Sequence, residues 1–256
     1  DIFIRRIIMK ITFMGTSHGV PSAERYCSST MIQTNGSAYI IDAGAPITDT
    51  LLRSGEIFDN VRGIFTTHCH GDHIDGIFHF IDLSMWYWKN TNYDVYLTSE
   101  AVIDAIHAVI RAVSPGAKFP EERLRLHLAT ANTKFEDNNI KLSYIPTKHI
   151  NENNLSAALD IEIEGKRVLF TGDMSHKLAK DDFPKVAFEK EYDLIVCELA
   201  HFGIPEVMPY LDRVKTKRFA FTHASERKFG DIAELAASGK YSFEILHPND
   251  GDVLEI

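Results

Sequence analysis

Four times in this chain an apolar run that reads as a buried strand ends at a threonine, followed within two residues by a histidine or an aspartate. The four are Thr67-His68, Thr147-Lys148-His149, Thr171-Gly172-Asp173 and Thr222-His223. Strand ends in an α/β architecture open into loops held by a rigid sheet, and ligand sites gather there. The four ends fall in both halves of the chain, so a site that uses all of them requires the halves to fold together as one unit.

The periodicity supports two such halves. Strand-like runs are expected at 10–14, 29–33, 38–42, 61–67 and 94–98, with helical patterns at 47–54 and 99–113. After a connection containing Pro and Gly at 114–120, strands return at 140–146, 157–164, 167–171, 193–197, 218–222 and 243–246, with helices at 206–214 and 229–237. The class is α/β, and the halves look alike in type and order. A single domain is expected over 9–256, with Met9 as the natural start and residues 1–8 as a remnant, either appended or left by an upstream start.

One of the four strand ends carries an unusual density of donors. In His68-Cys69-His70-Gly71-Asp72-His73, three imidazoles and a carboxylate follow within one short turn. Alternate side chains of an extended segment share a side, so His68 and His70 can converge on one ion while Cys69 points away. Past Gly71, Asp72 and His73 can face a second ion. The expected ligand sets are His68, His70 and His149 for one ion and Asp72, His73 and His223 for the other, with Asp173 bridging. Two divalent ions, zinc before manganese or iron, suit these donors, with zinc to nitrogen distances of about 2.0–2.1 Å and ions roughly 3.5–4 Å apart. A hydroxide held between the ions would be the nucleophile.

A group that protonates the leaving oxygen is still useful, and Glu198 with His201, just past an apolar strand, are the candidates. The expected catalytic set is therefore Asp72, Glu198 and His201. Asp42 ends a strand at a turn and is expected to orient ligand histidines. His18, in a Gly-flanked loop after the first strand, and Trp86 are candidates for the substrate pocket. The same Trp86-Tyr87-Trp88 run also suits the packing of a helix. His79, His107, His127, His176 and His247 lack ligand spacing.

Composition narrows the function. A formal charge of -9 argues against an extended nucleic-acid surface, because phosphate contacts draw on Lys and Arg. No apolar stretch approaches the length of a membrane span. Three cysteines are too few for a disulfide framework, which favours a reducing, cytoplasmic setting. A homodimer is a reasonable expectation.

These residues resemble the metallo-β-lactamase superfamily in its dinuclear hydrolase form, through the His68–His73 motif followed by His149, Asp173 and His223. The resemblance runs from Met9 to Ile256 and implies a four-layer αββα sandwich with the metals at the edge between two packed sheets. Within the superfamily the chain is most similar to the ribonuclease Z-like phosphodiesterase branch. That likeness rests on Phe13-Met14-Gly15-Thr16-Ser17-His18-Gly19-Val20-Pro21-Ser22, on the His-Gly-Asp-His form of the motif, and on Asn249-Asp250-Gly251-Asp252 before the last strand. Glu198 matches the acidic residue that the branch pairs with a catalytic histidine, whereas His201 follows it far sooner than the branch's usual histidine. The resemblance implies a hydrolase of small or nucleotide phosphodiesters. A lactonase or thioester hydrolase on the same centre is the alternative. Transfer-RNA 3′ processing and a non-catalytic module are less favoured, the former because no Gly/Pro-rich arm is evident.

Overall fold

Among the described residues, fourteen short strands pair into two seven-stranded sheets of the same design. The computed structural model describes residues 9–150 and 154–256; the segment 1–8, expected to be a remnant, lies outside the described residues. In the first half are β1 (Lys10–Gly15), β2 (Ser29–Thr34), β3 (Ser37–Ala43), β4 (Val61–Phe65), β5 (Tyr93–Leu97) and β6 (Leu124–Leu128). The second holds β7 (Lys134–Glu136), β8 (Ile140–Pro146), β9 (Ala157–Ile163), β10 (Lys166–Phe170), β11 (Leu194–Glu198), β12 (Arg218–Thr222) and β13 (Glu244–Leu246), and the chain ends on β14 (Val253–Glu255). The sheets run β14-β1-β2-β3-β4-β5-β6 and β7-β8-β9-β10-β11-β12-β13.

The correspondence between the halves extends to their turns. Each sheet contains an antiparallel meander, β1-β2-β3 in one and β8-β9-β10 in the other, and continues with three parallel strands. Each meander ends in a two-residue hairpin loop with both residues left-handed, Asn35-Gly36 (φ 50 and 71) and Glu164-Gly165 (φ 50 and 74). Loops of that form twist in the sense of the strands they join, so the register beyond them is fixed.

Burial follows the residue pattern. β8 alternates, with Ile140, Leu142 and Tyr144 buried and Lys141 exposed, as suits a strand with one wet face. β3 is buried throughout, as suits a strand covered on both sides. Phe13, Ile32, Tyr39, Ile41 and Phe65 meet Leu142, Leu159, Ile161, Phe170 and Val196 between the sheets. Each such side chain contributes about 1.5–3 kcal/mol on burial.

The outer face of the first sheet packs on α1 (Ile47–Ser54), α3 (Ile77–Trp86) and α4 (Glu100–Val113), α3 being preceded by the one-turn α2 (Gly71–Ile74). The second sheet packs on α5 (Val186–Glu189), α6 (Ile204–Leu211) and α7 (Phe229–Ala237). Helix, sheet, sheet and helix make the expected four layers. Among the described residues no helix is long and apolar enough to cross a membrane.

Some elements differ from the sequence reading. β6 and β7 were not expected; β7 is three residues with two charges, too short for a period to register. α3 carries Phe, Ile, Leu and Met on several sides, which blurs the 3.6-residue stripe. α6 starts two residues earlier than expected, because Pro205 suits the first turn and the Glu206 carboxylate accepts the Gly203 N–H at 3.0 Å.

Candidate metal centre

All the strand ends singled out in the sequence open at the same rim. β4 runs through Thr66 and Thr67 into His68, β8 through Thr147 into His149, β10 into Asp173, β11 ends at Glu198, and β12 runs into His223. Local backbone geometry turns the ligands inward. Gly172 has φ +57, and a Cβ there would come within 2.4 Å of the Ala157 carbonyl oxygen. Only glycine fits, and it swings Asp173 into the centre. His223 itself is left-handed, at φ 49.

The donor atoms crowd one another without bonding in the usual way. His68 Nε2 and His149 Nε2 lie 3.0 and 3.2 Å from His70 Nδ1. Asp72 Oδ2 is 3.3 Å from His73 Nε2 and 3.6 Å from His223 Nε2. One oxygen, Asp173 Oδ2, lies 3.5–3.7 Å from nitrogens of His68, His73, His149, His201 and His223. These separations are those of neighbouring ligands around an ion with bonds of about 2.1 Å. The potential ligand atoms sort into overlapping groups: His68, His70 and His149; His68, His73 and Asp173; Asp72, His73 and His223; and His149, Asp173 and His201.

The far sides of the rings are anchored. His73 Nδ1 bonds Asp42 Oδ2 at 2.8 Å, His223 Nδ1 donates to the Ser17 carbonyl at 2.9 Å, and His68 Nδ1 meets Thr67 Oγ1 at 3.1 Å. Asp42 also accepts the Thr67 N–H at 2.7 Å, so one carboxylate sets both the turn into His68 and the tilt of His73. With Nδ1 engaged, each of these rings presents Nε2 to the centre, the arrangement that fixes ligand tautomers in metal proteins. The buried Nε2 of His73 makes no hydrogen bond to any described residue. An orphaned buried nitrogen, facing carboxylates and other imidazoles, fits a divalent cation.

Charge in the cluster is balanced accordingly. Burial works to raise the Asp173 carboxyl, and the His223 and His73 imidazoles overcome it, holding the group well below the usual carboxylate range. Burial also opposes charge on His73, yet the Asp42 and Asp173 carboxylates push it well above the usual imidazole value. Burial pulls His68 and His149 down. Metal uptake at such a site displaces protons from the ligand nitrogens.

Glu198 is 4% exposed and holds the loop that follows it. Its carboxylate accepts the N–H groups of Met174, Ala200 and His201 at 2.8–3.1 Å, and lies 2.9 and 3.0 Å from His201 Nδ1. The short Glu198 to His201 spacing therefore brings the pair into direct contact beside Asp173.

The two expected pocket residues differ in place: His18 neighbours the centre, close enough for His223 and Asp72 to act on its charge, and Trp86 lies further along the chain. Trp86 closes the C-terminal end of α3, is 45% exposed, and lies about 14 Å along the axis from the helix start. Its neighbour Trp88 packs instead on Phe58, with ring centroids 3.3 Å apart. His18 is half-buried and lines a neighbouring cavity with Pro21, Arg25, Ala224 and Arg227. Cys69 turns away from the donors and accepts a hydrogen bond from Thr98 Oγ1.

Residues to which the sequence reading gave no role also shape the site. Asp182, 5% exposed, accepts the N–H groups of Lys148 and Ser175 at 2.7–2.9 Å and so steadies the loops of His149 and Asp173. Ser17 contributes through its carbonyl alone, which no side-chain pattern could signal.

Comparison with known proteins agrees with the architecture. The structure superposes on the metallo-β-lactamase fold protein YhfI from Bacillus subtilis with a TM-score of 0.74 and 16% identity, covering 96% of this chain and 99% of that one. Human tRNase Z, short form, gives a TM-score of 0.73 with 18% identity over 96% and 98% of the two chains. Both likenesses are of fold, and the fold is the metallo-β-lactamase fold. Among curated proteins, a ribonuclease Z from Picosynechococcus sp. is 31% identical over 144 residues, 55% of this chain and 44% of that protein, so the match spans less than half of the relative's length. The sequence profile of the family described as "Anti-Pycsar protein Apyc1" matches residues 9–229, well over half of the chain. The chain therefore belongs to the Anti-Pycsar protein Apyc1 family.

Proposed function

We propose that this protein is a metal-dependent hydrolase, a phosphodiesterase acting on a small or nucleotide phosphodiester. The observation that carries the reading is the single oxygen of Asp173 set 3.5–3.7 Å from five imidazoles, one of them paired with a buried glutamate. His68, His70 and His149 would hold one divalent ion, Asp72, His73 and His223 the other, with Asp173 shared and zinc the first candidate. Bound there, such ions supply an acidified water as nucleophile and positive charge for the phosphoryl oxygens.

The chain's own groups do the rest. Asp42, Thr67 and Ser17 hold the ligand rings in one tautomer. Glu198 engages His201 Nδ1 and leaves Nε2 to carry a proton. As the bond from phosphorus to the leaving oxygen breaks, its electron pair stays on that oxygen, which takes the proton from His201. Burial works against charge on His201, but its hydrogen bond to Glu198 and that carboxylate's charge raise its pKa above the ordinary value, as an acid at neutral pH requires.

The formal charge of -9 disfavours a long polyanion and points to a small substrate. A related protein is a ribonuclease by name, which supports phosphorus rather than carbonyl carbon as the attacked centre. Metal-loaded protein is expected to hydrolyse bis-p-nitrophenyl phosphate faster than any member of a lactone and thioester panel. The reverse order would assign the same centre to carbonyl substrates.

A further inference from the structure

The loop that carries His201 is held by two charged side chains. Glu198 captures its N–H groups, and a single ammonium captures its carbonyls: Lys228 Nζ donates to the Leu199, Ala200 and Phe202 oxygens at 2.6, 2.9 and 2.7 Å. The remaining carbonyl, that of His201, accepts the Lys177 N–H at 2.9 Å. A lysine ammonium has three N–H donors and no acceptor, and here all three are spent on one four-residue loop. Lys228 closes the short turn Glu226–Lys228, five residues after His223, so the clamp also ties the His201 loop to the segment leaving β12.

We infer that Lys228 is a positioning residue for the acid step, acting through His201; the inference rests on the proposed role of His201. Its chemistry is specific to an ammonium. Three converging carbonyls concentrate partial negative charge that a compact cation with three rotatable donors satisfies, whereas a methionine of similar length satisfies none of them. Buried or half-buried carbonyls left without partners rearrange until they find some. The loop would then move His201, and displacement of about 1 Å costs a reacting group about 100-fold.

The test compares Lys228→Met with wild type, both metal-loaded, on two diesters and by amide hydrogen exchange. Bis-p-nitrophenyl phosphate expels an anion that needs no proton, and a dinucleoside monophosphate expels a ribose alkoxide that does. The expected result is a fall in kcat of about 100-fold on the dinucleoside substrate, with KM within about two-fold and less than about three-fold loss on the activated diester. Exchange at the Ala200 and His201 amides is expected to quicken about ten-fold while β11 is unchanged. Unchanged exchange, or equal losses on the two substrates, would overturn the role of Lys228. A wild type that turns over neither diester would instead contradict the phosphodiesterase reading, and the exchange measurement alone then decides whether Lys228 holds the loop.

Discussion

Asp173→Ala is expected to abolish phosphodiester turnover to within assay background, a loss of about 1,000-fold or more. Removing a group that merely orients a ligand histidine costs about 10- to 100-fold in metal affinity or activity. Asp173 stands closer to the chemistry than that. Its Oδ2 faces His68, His73, His149 and His223 together; three of these rings follow β4, β8 and β12, and His73 lies on α2. Without it the two triads of donors share no ligand, and four imidazoles lose a carboxylate that they all face. Elemental analysis of the variant is expected to show fewer than two equivalents of metal, with circular dichroism unchanged. Full metal content together with wild-type turnover would remove Asp173 from the centre.

The second large effect concerns the leaving group. His201→Ala is expected to lose about 100- to 10,000-fold on diesters that expel an alkoxide, the range for removal of a general acid, and far less on p-nitrophenyl esters, whose leaving group departs as a stable anion. Glu198→Gln should follow the same selectivity, because its carboxylate sits 2.9 Å from His201 Nδ1. It carries a further structural cost, since three backbone N–H groups also depend on it. Plotting rate against leaving-group acidity for a series of diesters checks both: the variants are expected to give a steeper slope than wild type, and parallel slopes would show that neither residue delivers a proton.

The residues that converge are those whose signal is local. Thr67-His68 and Thr222-His223 advertise themselves because an apolar run stops where a ligand begins, and the donors of His68–His73 are neighbours in the chain. The strand-like runs at 29–33 and 38–42 were legible for the same reason: an apolar run needs no information from elsewhere. What escaped is what depends on distant backbone. Lys228 meets three carbonyls some 26 to 29 residues away, Ser17 meets His223 across 206 residues, and neither contact leaves a trace in spacing. β6 escaped although Leu124-Arg125-Leu126-His127-Leu128 alternates. Composition alone does not place Trp86: the direction of α3 carries it to the end of the helix away from the His68–His73 motif.

The central claim is that both halves of the chain feed one pair of ions. Anomalous diffraction from crystals of zinc-loaded protein tests it most directly. Two peaks are expected, roughly 3.5–4 Å apart, one bounded by His68, His70 and His149, the other by Asp72, His73 and His223, with Asp173 between them. A single peak confined to His68, His70 and His149, or peaks away from these residues, would contradict the shared centre.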